Sequence, residues 1–247
     1  MSTVLILGGT WESRILAERL HRAGVDVLTS LAGRTRMPGL PPGRVRVGGF
    51  GGAEGFARVL AGEAVAFVLD ATHPFAVRMT TTAHRVCRER GVPYLRLDRP
   101  PWTAEPGDRW IEVADLDAGL ARIAAVGRRP FVNVGRAEIP RLGEVPACHF
   151  LLRTVEPPDR VPPNVDVLVG RPPYSVAGDR ETLRRFGVDC LLVRNAGGPG
   201  AYPKIRAARE LGLPVVMIRR PQVAVAPVVA GVEEALAYLR PFLGRRT

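Results

Sequence analysis

The 247-residue chain has little cysteine, a single lysine and no long apolar segment. Its three cysteines, Cys87, Cys148 and Cys190, are far apart and none belongs to a CxxC pair, so neither a disulfide framework nor a structural zinc site is expected. A transmembrane helix is not expected, because no run of about 18 uncharged apolar residues occurs. The N-terminus lacks the basic region and cleavage site of a signal peptide, so the cytoplasm is the expected compartment.

Several catalytic motifs are also missing. The chain contains no GxSxG, no HExxH, no Walker motif and no pair of carboxylates at a fixed spacing. The sequence therefore offers no signature of nucleophilic, zinc-dependent or P-loop chemistry, and no metal site is expected.

Basic residues outnumber acidic ones, 35 to 24, which gives a net charge of +11. Such a surface attracts polyanions, namely nucleic acid, acidic membranes or a polycarboxylate ligand. The basic residues are spread along the whole chain without interleaved aromatics, so no nucleic-acid or membrane partner is expected, and a basic nucleic-acid binder stays an alternative. Lys204 is the only lysine; a compact ammonium and a planar guanidinium are not interchangeable at a tight site, so this position is of interest.

Short apolar runs alternate with amphipathic segments along the chain. The first series of runs covers residues 4–7, 25–31, 44–47 and 64–69, and the second covers residues 131–134, 149–153, 165–169, 190–193 and 214–218. Continuous apolar strands between helices are typical of parallel sheets covered on both faces. The pattern predicts an α/β fold of two Rossmann-like doubly wound domains with a cleft between them. The expected domains are 1–127, on the cofactor side, and 128–247, on the substrate and cofactor side.

A glycine loop follows the first predicted strand. Gly8, Gly9 and Thr10 lead into a helix, as in loops that bring the backbone close to a phosphate. The loop is not GxGxxG, however, because Thr10 and Ser13 stand where further glycines would be. Glu12 places a negative charge in the first helical turn, which opposes a phosphate. A cofactor loop and a plain turn capped by Thr10 both remain open.

Gly33, Arg34 and Arg36 follow the second predicted strand. NAD-binding folds place an acidic residue at this point to bind the ribose hydroxyls, whereas an arginine suits the 2′-phosphate of NADP. No acidic residue occurs here and two arginines do, so NADPH is the expected cofactor if a dinucleotide binds. The alternative is a solvated basic loop.

The fourth predicted strand ends at Asp70 and is followed by a turn with several chemical groups. Thr72, His73, Pro74 and Phe75 bring together a hydroxyl, an imidazole, a rigid ring and an aromatic ring. We expect this turn to contact the cofactor, with His73 as the candidate catalytic residue that orients or protonates a ligand. A structural histidine is the alternative.

The second half of the chain holds the candidate anion-binding residues. Asn195, Gly197 and Gly198 form a glycine-rich loop, and Lys204 opens the helix that follows. A cation at a helix start opposes the helix dipole, so an anionic ligand would explain Lys204 better than stability does. Together with Arg136, these residues are expected to bind substrate; a merely basic surface is the alternative.

Seven stretches together resemble the precorrin-6A reductases of cobalamin biosynthesis, including their cobalt-precorrin-6A members. They are LILGGTWES at 5–13, VRVGGFGG at 45–52, DATHPFA at 70–76, LRLDRPPW at 95–102, VGR at 134–136, NAGG at 195–198 and KIRAARELGLPVVMIRRP at 204–221. They occur in family order over nearly the whole chain, and DATHPFA is the most specific. At the second glycine loop, Arg194 and Ala196 replace the lysine and serine usual in the family, so a hydroxyl is lost.

The resemblance implies reduction of one double bond of precorrin-6A by NADPH, giving precorrin-6B. It implies a polycarboxylate tetrapyrrole as the partner, with Lys204, Arg136 and Asn195 holding its carboxylates or the cofactor phosphate, and His73 orienting or protonating. Two other functions stay open. Another NADPH reductase, such as a short-chain dehydrogenase, would need the Tyr-x-x-x-Lys pair that is absent here, and a nucleotide or anion sensor would bind without turnover.

Overall fold

The computed structural model describes residues 3–33 and 39–243, and it divides the chain into two compact units. The first unit comprises Met1–Pro100 with Pro221–Thr247, and the second comprises Pro101–Arg220. Each unit contains a six-stranded sheet in which the strands pair in parallel, with interleaved helices. The predicted α/β fold with two Rossmann-like sheets is therefore confirmed.

Twelve strands and seven α-helices are found in the described ranges. The strands are β1 (Thr3–Leu7), β2 (Val27–Leu31), β3 (Arg44–Val47), β4 (Val65–Asp70), β5 (Tyr94–Leu97), β6 (Arg109–Val113), β7 (Pro130–Val132), β8 (Phe150–Thr154), β9 (Val165–Val169), β10 (Cys190–Arg194), β11 (Pro214–Ile218) and β12 (Val228–Val229). The helices are α1 (Trp11–Arg22), α2 (Gly52–Gly62), α3 (Val77–Arg90), α4 (Leu116–Ile123), α5 (Val176–Arg185), α6 (Pro203–Glu210) and α7 (Val232–Leu243), with a 3₁₀ segment at Arg136–Glu144.

The first sheet has the strand order β12-β5-β4-β1-β2-β3. Its central strand, β1, is buried at all five positions, as expected for a strand covered on both faces. One face packs against α1 and α7 through a core that includes Ile6, Leu16 and Leu239, and the other packs against α2 and α3 around Phe56. The order reverses between β1 and β4, so the loops after these two strands leave in opposite directions and open a crevice at their carboxyl ends.

The second sheet has the order β6-β11-β10-β7-β8-β9 and the same reversal, here between β7 and β10. Leu191, Ile205 and Met217 belong to the core beneath α5 and α6. The loops that follow β7 and β10 thus occupy the position in the second unit that the loops after β1 and β4 occupy in the first.

The domain boundary predicted near residue 127 is corrected by the strand pairing. Strand β6 precedes residue 127, yet Trp110 pairs with Val215 of β11 in the second sheet. Strand β12 lies near the C-terminus, yet Val228 pairs with Arg96 of β5 in the first sheet. The sequence did not reveal this because β12 has only two residues and no hydrophilic linker separates the units. The assignment of cofactor and substrate sides stays a prediction.

Candidate functional site

The loops after β1 and β4 meet at the crevice of the first sheet. The hydroxyl of Thr10 donates a 2.7 Å hydrogen bond to the carbonyl of Ala71, and the Ala71 amide donates to the Leu7 carbonyl at 3.0 Å. The structure thus brings together two of the predicted cofactor segments, Gly8–Thr10 and the turn after Asp70. Their separation in sequence is bridged by the direct pairing of β1 with β4.

The glycine loop is a capped turn in which serine replaces a glycine. Gly9 has φ +109°, a conformation that favours glycine, and a side chain on Gly8 would crowd Thr29. The hydroxyl of Ser13 accepts from the amides of Gly9 and Thr10 at 3.2 and 3.1 Å, while the hydroxyl of Thr10 accepts from the Ser13 amide at 3.1 Å. Ser13 therefore satisfies amides that would otherwise face a ligand, and phosphate binding at this loop stays a prediction.

Glu12 opposes an anion at the start of α1 less than the sequence indicated, because it is paired with an arginine. Its carboxylate pairs with the Arg99 guanidinium at 2.7 Å, and both side chains are largely buried. A positive charge thus lies beside the negative charge in the first turn of α1. The electrostatic objection to an anion at this helix start is accordingly weakened.

The turn after β4 is anchored through Thr72. Its amide and its hydroxyl both donate to Oδ1 of Asp70, at 3.0 and 2.8 Å, and the hydroxyl accepts from Arg96 at 2.8 Å. The hydroxyl proton of Thr72 is therefore donated to Asp70 and is not available to a ligand. Thr72, predicted as a cofactor contact, shapes the turn through its side chain and has only its carbonyl left for a ligand.

His73, Pro74 and Phe75 follow in the same turn. The Phe75 amide donates to Nδ1 of His73 at 3.3 Å, so in the neutral imidazole the proton belongs on Nε2. The two rings lie with centroids 5.7 Å apart, and both side chains are only partly buried, whereas Pro74 is buried. In that tautomer Nε2 is the proton-bearing nitrogen of His73; its catalytic role stays a prediction.

The arginines predicted to bind a 2′-phosphate, Arg34 and Arg36, lie outside the described residues. Gly33 is described, with φ +71° at the end of β2, and it packs against Gly48. The carboxyl end of β2 is thus placed beside that of β3. Strand β3 ends at Val47 and is followed by the glycine-rich stretch at residues 48–52.

Arg46 is a candidate residue that the sequence interpretation missed. It lies on β3 beside Ser30, donates to the Ser30 hydroxyl at 2.8 Å and to the carbonyls of Gly48 and Gly49 at 3.1 Å, and stacks over Phe50. No carboxylate in the described ranges forms an ion pair with it, and burial lowers its pKa. A half-buried guanidinium that is in no direct ion pair with these carboxylates is suited to bind an anion. Only the strand order shows that it lies near the end of β2.

In the second unit, Asn195 is occupied by the protein itself. Its side-chain oxygen accepts from the Trp102 amide and its side-chain nitrogen donates to the Trp102 carbonyl, both at 2.8 Å. The Trp102 indole also donates to the Gly198 carbonyl at 2.8 Å, and Gly197 and Gly198 have φ +67° and +69°. Asn195 therefore fastens its loop to residue 102; a direct contact with substrate stays a prediction.

The two arginines near the second crevice have acidic neighbours. Arg136 begins the 3₁₀ segment, is well exposed, and lies 3.4 Å from Asp159. Arg194, at the end of β10, forms an ion pair with Glu138, whose other oxygen accepts from the Gly135 amide at 2.7 Å. Arg136 is thus available to a solvent-borne anion, whereas Arg194 is tied to the segment that follows β7.

Lys204 is buried in the first turn of α6, with 5% of its surface exposed. Its ammonium donates to the Ala201 carbonyl at 2.7 Å and lies 5.3 Å from the centre of the Trp102 ring. It forms no ion pair within the described part of the chain. Burial, together with the nearby charge of Arg153, lowers its pKa from the ordinary value to about 7. Anion binding by Lys204 stays a prediction, and an anion would raise this pKa.

The buried lysine predicts a specific dependence of stability on pH. Because the pKa of Lys204 is lowered in the folded state, the unfolded chain binds more protons above pH 7, so the free energy of unfolding should rise with pH. Relative to Lys204→Met, wild type should gain about 2 to 3 kcal/mol between pH 7 and pH 9. Urea denaturation at both pH values measures this difference. Lys204→Arg, which stays charged, is the control; parallel curves for wild type and Lys204→Met would contradict the prediction.

The three cysteines are free and buried, and burial raises the pKa of each thiol, that of Cys87 to about 12. They are therefore not nucleophiles near neutral pH. Over residues 3–33 and 39–243, no three His, Cys, Asp or Glu side chains are grouped so that they could hold a metal ion. None of the helices in these ranges is both long and apolar enough to cross a membrane.

The family model for precorrin-6x reductase, CbiJ/CobK, matches residues 3–240 of the chain. The chain belongs to this family. This reductase is 43% identical over 223 residues to precorrin-6A reductase of Rhodococcus erythropolis, and the match covers 90% of each chain. It is 41% identical over 241 residues to precorrin-6A reductase of Rhodobacter capsulatus, which covers 97% of this chain and 96% of the relative.

The structural comparison agrees with the sequence comparison. The reductase is similar to a solved structure of CobK precorrin-6A reductase, with a TM-score of 0.93, 40% identity and coverage of 98% of this chain and 97% of the other. A relative named for the cobalt-containing substrate, cobalt-precorrin-6A reductase of Synechocystis, is 25% identical over 90% of both chains. The resemblance first noted in the DATHPFA string is thus confirmed over both units.

Proposed function

We propose that this reductase converts precorrin-6A to precorrin-6B in cobalamin biosynthesis, with NADPH as the hydride donor. The observation that carries the proposal is the family match across residues 3–240, which includes both units and every described candidate residue. Membership in this family makes the chain an oxidoreductase that acts on a CH–CH group.

The metal-free substrate is favoured over the cobalt-containing one. The relatives named precorrin-6A reductase are 38–44% identical to this chain, whereas those named cobalt-precorrin-6A reductase are 24–29% identical. Reduction of cobalt-precorrin-6A is the second candidate function, since both groups share the family and nearly the whole length.

The residues of the first unit fit NADPH. Gly8 and Gly9 carry no side chain that would block the approach of a pyrophosphate, and Arg99 neutralises Glu12 at the start of α1. No acidic residue follows β2, and Arg46 on the neighbouring strand forms no ion pair with a carboxylate of the described residues. These features support a cofactor with a 2′-phosphate over one with a free ribose hydroxyl.

When bound, NADPH supplies a hydride. Reduction of the double bond to a CH–CH single bond would then also require a proton on the carbon next to the one that receives the hydride. His73 is the proposed source of this proton, because the Phe75 amide occupies Nδ1 and leaves the proton on Nε2. The protein otherwise contributes positioning and charge.

The second unit is proposed to hold the carboxylates of the tetrapyrrole. Arg136 is exposed, and Lys204 lacks an acidic partner in the part of the chain that is described. Asn195 supports the adjoining loop, in which Gly197 and Gly198 adopt positive φ angles. The proposed partner is therefore a small polyanionic ring, and no nucleic-acid or membrane partner is proposed.

Oxidation of the reduced cofactor in the presence of precorrin-6A tests the function directly. We expect absorbance loss at the nicotinamide band that depends on precorrin-6A and is much faster with NADPH than with NADH. Turnover with cobalt-precorrin-6A alone would support the second candidate. Failure with both substrates and both cofactors would refute a reductase and leave a nucleotide or anion sensor.

A further inference from the structure

Asp70 carries a fully buried charge at the end of β4. It has no exposed surface, and its carboxylate accepts four hydrogen bonds. Oδ1 accepts from the amide and hydroxyl of Thr72 and from Arg96 at 2.8 Å, and Oδ2 accepts from the Tyr94 hydroxyl at 2.9 Å. Because Asp70 is inaccessible to solvent, it touches no ligand directly.

The partners of Asp70 are buried as well. Arg96 and Tyr94 lie on β5, with 4% and 6% of their surfaces exposed. Burial and the charge of Asp70 raise the pKa of Tyr94 well above its ordinary value, so its hydroxyl remains a donor. The same nitrogen of Arg96 that binds Asp70 also donates to the Thr72 hydroxyl at 2.8 Å. Arg96, Asp70 and Thr72 therefore form a closed triangle of hydrogen bonds.

Folding alone gives little reason for such a triangle. A buried ion pair gains little net stability, since desolvation offsets the attraction, and apolar residues of similar volume stabilise a core as well or better. What the triangle does provide is a unique conformation for Thr72, the residue immediately before His73. From the other side, the Thr10 hydroxyl holds Ala71 at 2.7 Å. The turn is thus fixed at two consecutive residues.

We infer that Asp70 and Arg96 are positioning residues, which hold the turn at residues 72–75 and thereby set the place of His73 relative to the cofactor. This inference rests on the proposed function, in which that turn contacts NADPH and His73 protonates the substrate. Misplacing a reacting group by a fraction of a bond length slows the chemical step more than it weakens binding. The effect is therefore expected in kcat rather than in the KM for substrate.

The primary test is Asp70→Asn, which keeps the shape and places a donor group among four donors. Because misplacing a reacting group slows the chemical step, we expect kcat to fall about 10- to 100-fold, with the KM for precorrin-6A changed less than about threefold. Thr72→Val should reproduce this loss without removing the buried charge of Asp70. Thr72→Ser keeps the hydroxyl, and its kcat should lie within about threefold of the wild-type value.

Asp26→Asn is the matched control at the opposite end of the same sheet. Asp26 also binds a threonine hydroxyl and an arginine, namely Thr3 at 2.7 Å and Arg44 at 3.0 Å, but far along the strands from the turn. It should lower stability in urea denaturation and leave kcat unchanged. If kcat falls equally in Asp26→Asn and Asp70→Asn, or if Thr72→Val turns over normally, the inference is overturned.

Amide hydrogen exchange separates this inference from the proposed function. Exchange at residues 72–76 should accelerate at least tenfold in Asp70→Asn and Thr72→Val, and not in Thr72→Ser or Asp26→Asn. This readout needs neither cofactor nor substrate. An inactive wild type would refute the proposed function while exchange still reports on the turn; unchanged exchange in Asp70→Asn with an active wild type would refute the positioning role alone.

Discussion

Replacement of Arg46 by leucine is expected to remove most of the preference for NADPH over NADH. The guanidinium lies at the carboxyl ends of β2 and β3, where it contacts one hydroxyl, two carbonyls and a phenyl ring but no carboxylate within the described ranges. A 2′-phosphate would provide the missing counter-charge through charge-assisted hydrogen bonds, each worth about 1.5 to 3 kcal/mol. The KM for NADPH should therefore rise roughly 100-fold, and that for NADH less than about threefold.

The ratio of kcat/KM for the two cofactors, with precorrin-6A at saturation, is the measurement. Arg44→Leu is the matched control, because Arg44 lies two residues earlier on β3 but is neutralised by Asp26 and Glu63. It should reduce stability without changing the ratio. Arg46→Lys should keep part of the preference, since the charge remains while the fork of donors is lost. Parallel weakening of both cofactors in Arg46→Leu would show that Arg46 only supports the Gly48–Gly49 backbone.

The fold could largely be predicted because buried strands can be recognised in the sequence by their composition. Strands such as Thr3–Leu7 and Cys190–Arg194 are buried along nearly their whole length, and continuous apolar runs therefore mark them as parallel strands. Which distant strands pair with one another is not visible in the sequence. Val228–Val229 is too short for a pattern, and nothing in its composition shows that it joins β5 rather than the second sheet.

The site was predictable where one local segment carries the chemistry. Asp70 to Phe75 is a single turn, so its hydroxyl, imidazole and carboxylate could be placed together from the sequence. Hydrogen-bond partners that lie on neighbouring strands could not be predicted from the sequence. Arg96 reaches Asp70 because β5 pairs with β4. Asn195 reaches Trp102 across 93 residues, so the sequence did not show that its side chain holds the backbone of residue 102.

Replacement of His73 by asparagine should separate proton transfer from the shape of the turn. The asparagine side-chain oxygen can accept from the Phe75 amide in place of Nδ1, so the backbone of the turn is kept while the ionisable nitrogen is lost. If His73 supplies the proton, kcat should fall about 100- to 1000-fold, as expected for loss of a general acid. The KM for NADPH should change less than about threefold, because the cofactor contacts of the turn remain.

Single-turnover reduction of precorrin-6A at several pH values measures this step most directly. In wild type, a titration assignable to His73 should appear in the rate of the chemical step, and in His73→Asn it should vanish together with the fast rate. His21→Asn, an exposed histidine in the last turn of α1, is the control for loss of an imidazole elsewhere. A variant with near-normal rate and an unchanged pH profile would assign the proton to solvent and leave His73 as the residue whose Nδ1 holds Phe75.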